Sequence, residues 1–220
     1  MKNKIIIITL IVLGIMLAIL AGFYFVRQNK SSVNSPENTT QQVSAGSQEK
    51  IDIGAGLNNQ TNNEQLQNKL VTDDFEITFP VGWRKTEPVM GVSVMAVNTN
   101  EQLSDPAAQR INFKSYAAVS YDTLQGKSLG EYLQSVKSQL SQTISNVVFT
   151  NEQDIIINNR SARAIEAELT QQGVNYKILM IVVAGQGDDV WVMSFNTIKS
   201  SWDGYKEIFS NIAKSFSLKK

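Results

Sequence analysis

From Ile5 to Val26 the chain reads IIIITLIVLGIMLAILAGFYFV, without a charged side chain. At about 1.5 Å of rise per residue this run forms a helix of roughly 33 Å, enough to cross a hydrocarbon core of about 30 Å. The apolar part of a secretory signal is shorter, about 7–15 residues, so residues 5–26 are predicted to be a transmembrane signal anchor in the lipid bilayer. Leu20-Ala21-Gly22 resembles the start of a bacterial lipobox, but Phe23 stands where a lipidated cysteine would be, and the chain has no cysteine at all. Cleavage after Ala21 is the alternative; Phe-Tyr-Phe-Val would then leave apolar residues at the new terminus, and an uncleaved anchor is the preferred reading. Lys2 and Lys4 on one side and Arg27 and Lys30 on the other balance the orientation rule. The long C-terminal part favours export, which gives a single-pass cell-membrane protein with an extracytoplasmic domain.

Gly14, Ala18 and Gly22 recur every four residues and share one helix face. Small residues at this spacing let two helices approach closely in lipid, so this stripe is a candidate contact for self-association; frequent Gly and Ala in membrane helices is the simpler account. Residues 27–70 then change abruptly to Asn, Gln, Ser and Thr, in stretches such as NSPENTTQQVSAGSQEK and GLNNQTNNEQLQNK. No apolar period is sustained there, and a disordered linker is expected, spanning about 35 Å root-mean-square. Ser47-Gln48-Glu49-Lys50 fits the S-x-x-K pattern of serine acyl-enzymes and Gly54-Ala55-Gly56 begins a dinucleotide fingerprint. Both need a rigid fold around them, which a tether does not supply.

Residues 71–220 are long enough for one folded domain. Phe75, Ile77 and Phe79 alternate with polar residues, the pattern of a half-buried strand ended by Pro80-Val81-Gly82. Further strands are expected at Val92–Asn98, from Ile111 toward Tyr121, and at Val147–Ile157, Ser161–Thr170, Asn175–Ala184 and Val190–Thr197. Turn residues between the last four predict an antiparallel meander. Ser128-Leu129-Gly130-Glu131 is a capping box opening a helix to about Thr143, with Leu129, Leu133, Val136 and Leu140 on one stripe. Ser200-Ser201-Trp202-Asp203 starts a second helix, which buries Trp202, Tyr205, Phe209, Ile212 and Phe216. Glu166 and Glu168 share a strand face and predict a wet side there. Ile178–Ala184 and Val190–Phe195 are apolar on both faces and require cover on both. The fold class is α+β, with helices on each side of an antiparallel sheet, or a helix on one side and the N-terminal hairpin on the other.

Phe79-Pro80-x-x-Trp83, the turn Asn158-Asn159-Arg160-Ser161-Ala162, and the closing Trp202-x-x-Tyr205-x-x-x-Phe209 with Ser215-Phe216 together resemble the PsbP, DcrB and Mog-like superfamily over about residues 75–218. The resemblance implies an α/β/α sandwich around a central antiparallel sheet. It also implies accessory or binding roles, as in photosystem II extrinsic subunits, envelope lipoproteins and a nuclear Ran-binding factor. It brings no shared catalytic residue, and this chain lacks both the lipidation cysteine and any histidine.

With no histidine or cysteine, Ser-His-Asp, Cys-His and thiolate or imidazole metal chemistry are excluded. Asp188-Asp189 could be paired acids or calcium ligands, but behind Gly185-Gln186-Gly187 they read as a solvated hairpin tip. Asp73-Asp74 reads as a polar strand edge. Gly126-Lys127-Ser128 copies the end of a phosphate loop, yet Tyr121 stands where its first glycine belongs. Trp83, Trp191 and Trp202 lie in apolar patterns and read as core. In the loop at Pro88–Val92, Val89 and Met90 are a candidate partner-binding patch. Lys+Arg and Asp+Glu are equal at 20 each, with no basic stripe for nucleic acid. The leading reading is a membrane-anchored extracytoplasmic domain, non-enzymatic and without a cofactor, that binds or helps assemble a protein partner in the envelope. The alternative is a carboxylate-dependent envelope hydrolase, for example on cell-wall glycan, for which Glu166 and Glu168 are the acids on offer. A sensor module is a third option, with only a four-residue tail for output.

Overall fold

The computed structural model describes residues 68–89 and 91–219. The anchor expected at 5–26, with Gly14, Ala18 and Gly22, and residues 27–67 of the expected linker lie outside the described residues, as does Met90; residues 68–70, expected to end the linker, instead belong to a strand. Among the described residues no helix is long and apolar enough to cross a membrane.

A three-stranded sheet of order β1-β2-β10 and a seven-stranded sheet of order β3-β4-β5-β9-β8-β7-β6 make up the domain. Every strand pair is antiparallel. The strands run β1 Asn68–Val71, β2 Phe75–Phe79, β3 Trp83–Thr86, β4 Val94–Asn98, β5 Tyr116–Thr123, β6 Val148–Ile157, β7 Arg160–Gln171, β8 Val174–Ala184, β9 Asp189–Ile198 and β10 Ser217–Leu218. Helix α1 is Pro106–Arg110, α2 is Leu129–Thr143 and α3 is Trp202–Ser215, the last entered through a 3-10 turn at Lys199–Ser201.

Alternation along the large sheet sends side chains into two cores. Ile165, Ala167 and Leu169 of β7 and Tyr176, Ile178 and Met180 of β8 join Tyr132, Leu133, Val136 and Leu140 of α2 on one face. Ala162, Ala164, Ile181, Val183, Met193 and Phe195 point the other way, toward Trp202, Tyr205, Phe209 and Ile212 of α3. Phe75, Ile77 and Phe79 of β2 bury themselves in this second core as well. Both covers foreseen for the sheet are therefore present: α2 on one face, and α3 together with the N-terminal hairpin on the other. Trp83, Trp191 and Trp202 are core residues, as their apolar surroundings predicted.

The meander β6–β9 and the start of α2 follow the sequence pattern. Ser128 Oγ accepts from the Glu131 N–H, and the Glu131 carboxylate accepts from the Ser128 N–H, completing the capping box. Four further expectations need correction. Asp105-Pro106 opens helix α1, with the Asp105 carboxylate accepting from the Ala108 N–H at 2.9 Å and proline in the first turn, so β5 starts at Tyr116 and not at Ile111. Ile111 and Phe113 are buried all the same, as packing from a loop. The predicted second strand is shorter at its start, beginning at Val94. Helix α3 has no side-chain cap at Ser201; the 3-10 turn replaces it, the Trp202 N–H bonding to the Lys199 carbonyl. Finally, Glu166 is buried, because Lys177 of β8 lies 2.9 Å from its carboxylate and the start of α3 covers the pair.

Candidate functional site

Two open strand edges border one groove. Among the described residues strand β3 pairs only with β4, and β1 only with β2, so each has one side of its backbone without a described neighbouring strand. Between them lies a cavity of about 710 Å³ lined by β1, by Phe79, Val81 and Gly82, by Trp83, Arg84 and Lys85 of β3, and by Asn100. Its floor is rigid: Trp83 stacks on Phe79 with ring centroids 6.1 Å apart and meets Tyr205 and Phe209 edge-on. The turn is equally constrained. Gly82 has φ +88°, and a Cβ there would lie 2.8 Å from the Asn100 side-chain nitrogen. The Thr99 N–H and hydroxyl both donate to the Gly82 carbonyl at 2.9 Å. The Asn68 side chain donates to the Trp83 carbonyl at 2.8 Å and joins the two edges.

The groove is basic and aliphatic. Lys69 pairs with Glu76 at 2.8 Å, while Arg84 and Lys85 are exposed and have no described carboxylate within ion-pair distance. Val71 and Val81 are 55% and 58% exposed, among the most exposed large apolar side chains described. The sequence pattern after Trp83 was too short to register as a strand, and the open edges arise from pairings that no local pattern encodes. Of the candidate patch, Val89 is half-buried against the first core beside Val92, and the Val92 N–H donates to its carbonyl.

The acidic pairs that the sequence singles out at Asp188-Asp189 and Glu166/Glu168 are engaged by the domain's own groups. Asp188 accepts from the Gln125 and Gly126 N–H groups at 2.9 and 3.0 Å, and Asp189 accepts from the Tyr121 hydroxyl at 2.7 Å. The hairpin tip is thus stapled to the loop before α2. Lys177 holds Glu166 at 2.9 Å and Glu168 at 3.0 Å, Lys199 reaches Glu168 at 2.6 Å, and the Lys177 ammonium lies 4.9 Å from the Trp202 ring centroid. Glu101 is buried, accepting from the Ser115 hydroxyl at 2.7 Å. Burial, followed by the bond and charge of Glu101, pushes the Tyr205 hydroxyl well above its ordinary pKa. Among the described residues no three acidic, histidine or cysteine side chains are grouped to hold a metal.

Asp122 is 1% exposed and accepts from the Tyr132 hydroxyl and the Thr123 N–H, each at 2.8 Å. Burial raises its pKa despite these bonds and despite Lys127, which act the other way. A carboxyl raised in the folded state stabilises most below its unfolded pKa of about 3.9, and the contribution is lost as pH rises through the folded value. Urea unfolding between pH 4 and 7 is therefore expected to show wild type losing stability relative to Asp122→Asn as pH rises; a constant difference contradicts this.

Sequence comparison with protein-family models and with curated proteins finds no match. Among solved structures, the chain is similar to the cyanobacterial PsbP, CyanoP, of Synechocystis, with 14% identity, a TM-score of 0.52, and 74% of this chain and 98% of that chain covered. It is also similar to LpqN, involved in cell envelope biogenesis of Mycobacterium tuberculosis, with 15% identity, a TM-score of 0.51, and 72% and 94% covered. At these identities the shared property is the fold. The domain has the PsbP-like architecture that the aromatic motifs pointed to.

Proposed function

We propose that this chain is a membrane-anchored, extracytoplasmic and non-enzymatic module that binds, or helps assemble, a protein partner of the envelope. The observation that carries the reading is the groove between the open edges of β1 and β3, a preformed basic and aliphatic recess at the point where the preceding chain enters the fold. The charge-free run at 5–26 supports the anchor. LpqN, a protein of the same fold, is involved in cell envelope biogenesis, which agrees with the location proposed. The hydrolase alternative loses its acids: Glu166 and Glu168 lie on one strand face and share Lys177, whereas glycoside hydrolysis needs carboxylates on opposite sides of a bond.

Protease shaving of intact cells, combined with in-cell cross-linking of the anchored chain, tests the proposal. The domain is expected to be digested from outside and to cross-link to a specific envelope protein. A domain that resists digestion until lysis refutes the orientation, and recovery of no specific partner across growth conditions refutes the binding role.

A further inference from the structure

We infer that the groove takes an extended, acidic segment of the partner protein as an added strand along β3; this rests on the binding role proposed above and specifies its chemistry. The hydrogen-bonding parity of β3 is fixed by its first residue. The Trp83 N–H donates to the Pro80 carbonyl at 3.2 Å and the Trp83 carbonyl accepts from Asn68, so both groups point away from β4. In an antiparallel ladder this direction alternates, so Arg84 and Thr86 face β4 while the N–H and carbonyl of Lys85 face the groove. Lys85 therefore offers the rung on which an incoming strand pairs, the mode of recognition known as strand addition.

Charge selects the occupant. Arg84 and Lys85 are exposed, adjacent, and on opposite faces of β3, so the residues opposite them on an added strand are two consecutive side chains that also diverge to the two faces. Acidic residues at both positions meet a cation on each face. Val81 and Val71 add aliphatic surface for flanking apolar residues of the same segment. Of the carboxylates nearest in sequence, Glu76 is taken by Lys69, and Glu87, one residue beyond the end of β3, forms no ion pair with Arg84 or Lys85. The other edge of the large sheet is interrupted and acidic near its middle. Strand β6 has a register shift between Thr150 and Gln153 with Asn151 at φ +54°, and its Glu152 and Asp154 are held by Lys137 and Arg163.

The test uses the full chain in detergent micelles and a fluorescent capped peptide, Thr-Val-Glu-Glu-Val-Thr-Val, against a counterpart with Lys-Lys in place of Glu-Glu. The acidic peptide is expected to bind at least ten-fold more tightly than the basic one, and added salt is expected to weaken it. Lys85→Ala should weaken binding several-fold by removing one charge. Lys85→Pro should weaken it at least a further ten-fold by removing the outward N–H, while thermal unfolding stays near that of Lys85→Ala, since proline is tolerated where an edge N–H faces outward. Arg84→Glu, which keeps the backbone intact, should also lower acidic-peptide affinity at least ten-fold. Equal binding of both peptides, absence of acidic-peptide binding, or equal affinity of Lys85→Pro and Lys85→Ala overturns strand addition. In cells, a photo-cross-linker at position 84 of the anchored chain should mark an acidic segment of another protein. Adducts with residues 27–67, a second copy or lipid overturn the inference. A specific partner captured only from other surfaces also overturns it, yet leaves the binding role standing; no partner from any position removes both.

Discussion

Phe209→Ala is expected to destabilise the domain by about 3–5 kcal/mol, the cost of deleting a buried aromatic side chain and leaving a void. The ring is 0% exposed and stands among Trp83, Phe195, Trp202 and Tyr205, at centroid separations of 6.3, 5.3, 6.2 and 5.2 Å. Its neighbours belong to β3, β9 and α3, so the void cannot be closed by moving one element. For a domain of this size the loss lowers Tm by roughly 10 °C or more. Thermal unfolding by circular dichroism measures it, with Phe209→Leu as a milder comparison. A shift below about 2 °C would show that the second core repacks freely. Because Trp83 forms the floor of the groove, Phe209→Ala should also disorder that floor, visible as a change in tryptophan fluorescence before the main transition.

Lys177→Met is expected to cost about 3–5 kcal/mol, because it leaves the buried Glu166 carboxylate without its cation. The lysine itself illustrates the balance. Burial disfavours its charge, but Glu166 and Glu168 outweigh that and raise its pKa. Glu168 moves the opposite way, lowered by hydrogen bonds first from Lys199 and then from Lys177. A carboxylate lowered on folding stabilises above its unfolded pKa of about 4.3 and loses that contribution as pH falls through the folded value. Wild type should therefore lose stability on the acid side of pH 4 more steeply than Lys177→Met. Adding Glu166→Leu to Lys177→Met should recover at least half of the loss, since an apolar pair of similar volume replaces a buried ion pair at little cost. A double variant as unstable as the single one would show that Lys177 acts by packing on Trp202, and not by charge.

Periodicity made the outer layers of this fold legible. Leu133, Val136 and Leu140 on α2, and Trp202, Tyr205, Phe209 and Ile212 on α3, are buried where a 3.6-residue repeat places them. Strand parity separated Ile165 from Glu166, but parity says only that two residues face opposite ways. It does not say that Lys177, eleven residues on along the chain and on the neighbouring strand, arrives to bury the acid. Helix α1 has a readable start in Asp105-Pro106, but the alternation of Ile111 and Phe113 just after it is equally that of a strand. The groove was the least legible feature. Arg84 and Lys85 are ordinary surface residues until pairing leaves β3 at an edge, and that pairing depends on residues distant in sequence. The fold motifs Phe79-Pro80-x-x-Trp83 and Trp202-x-x-Tyr205-x-x-x-Phe209 proved to be one aromatic cluster, with Trp83 lying between Phe79 and the α3 rings.

The small sheet sets an order on synthesis. Strand β2 is completed by β10, Phe75 opposite Leu218 and Glu76 opposite Ser217, and the Thr78 N–H bonds to a serine 137 residues later in the chain. Phe75 also packs its ring 5.2 Å from that of Phe216. Nothing made earlier can occupy those places, so the first hairpin to emerge keeps an uncovered apolar face until Phe216–Leu218 have left the ribosome. A nascent chain whose emerged part stops before Phe216 is a sticky intermediate, and one whose emerged part includes Leu218 has the small sheet complete. Chaperone binding at Phe75–Phe79, followed on chains of increasing length, should end abruptly at that point.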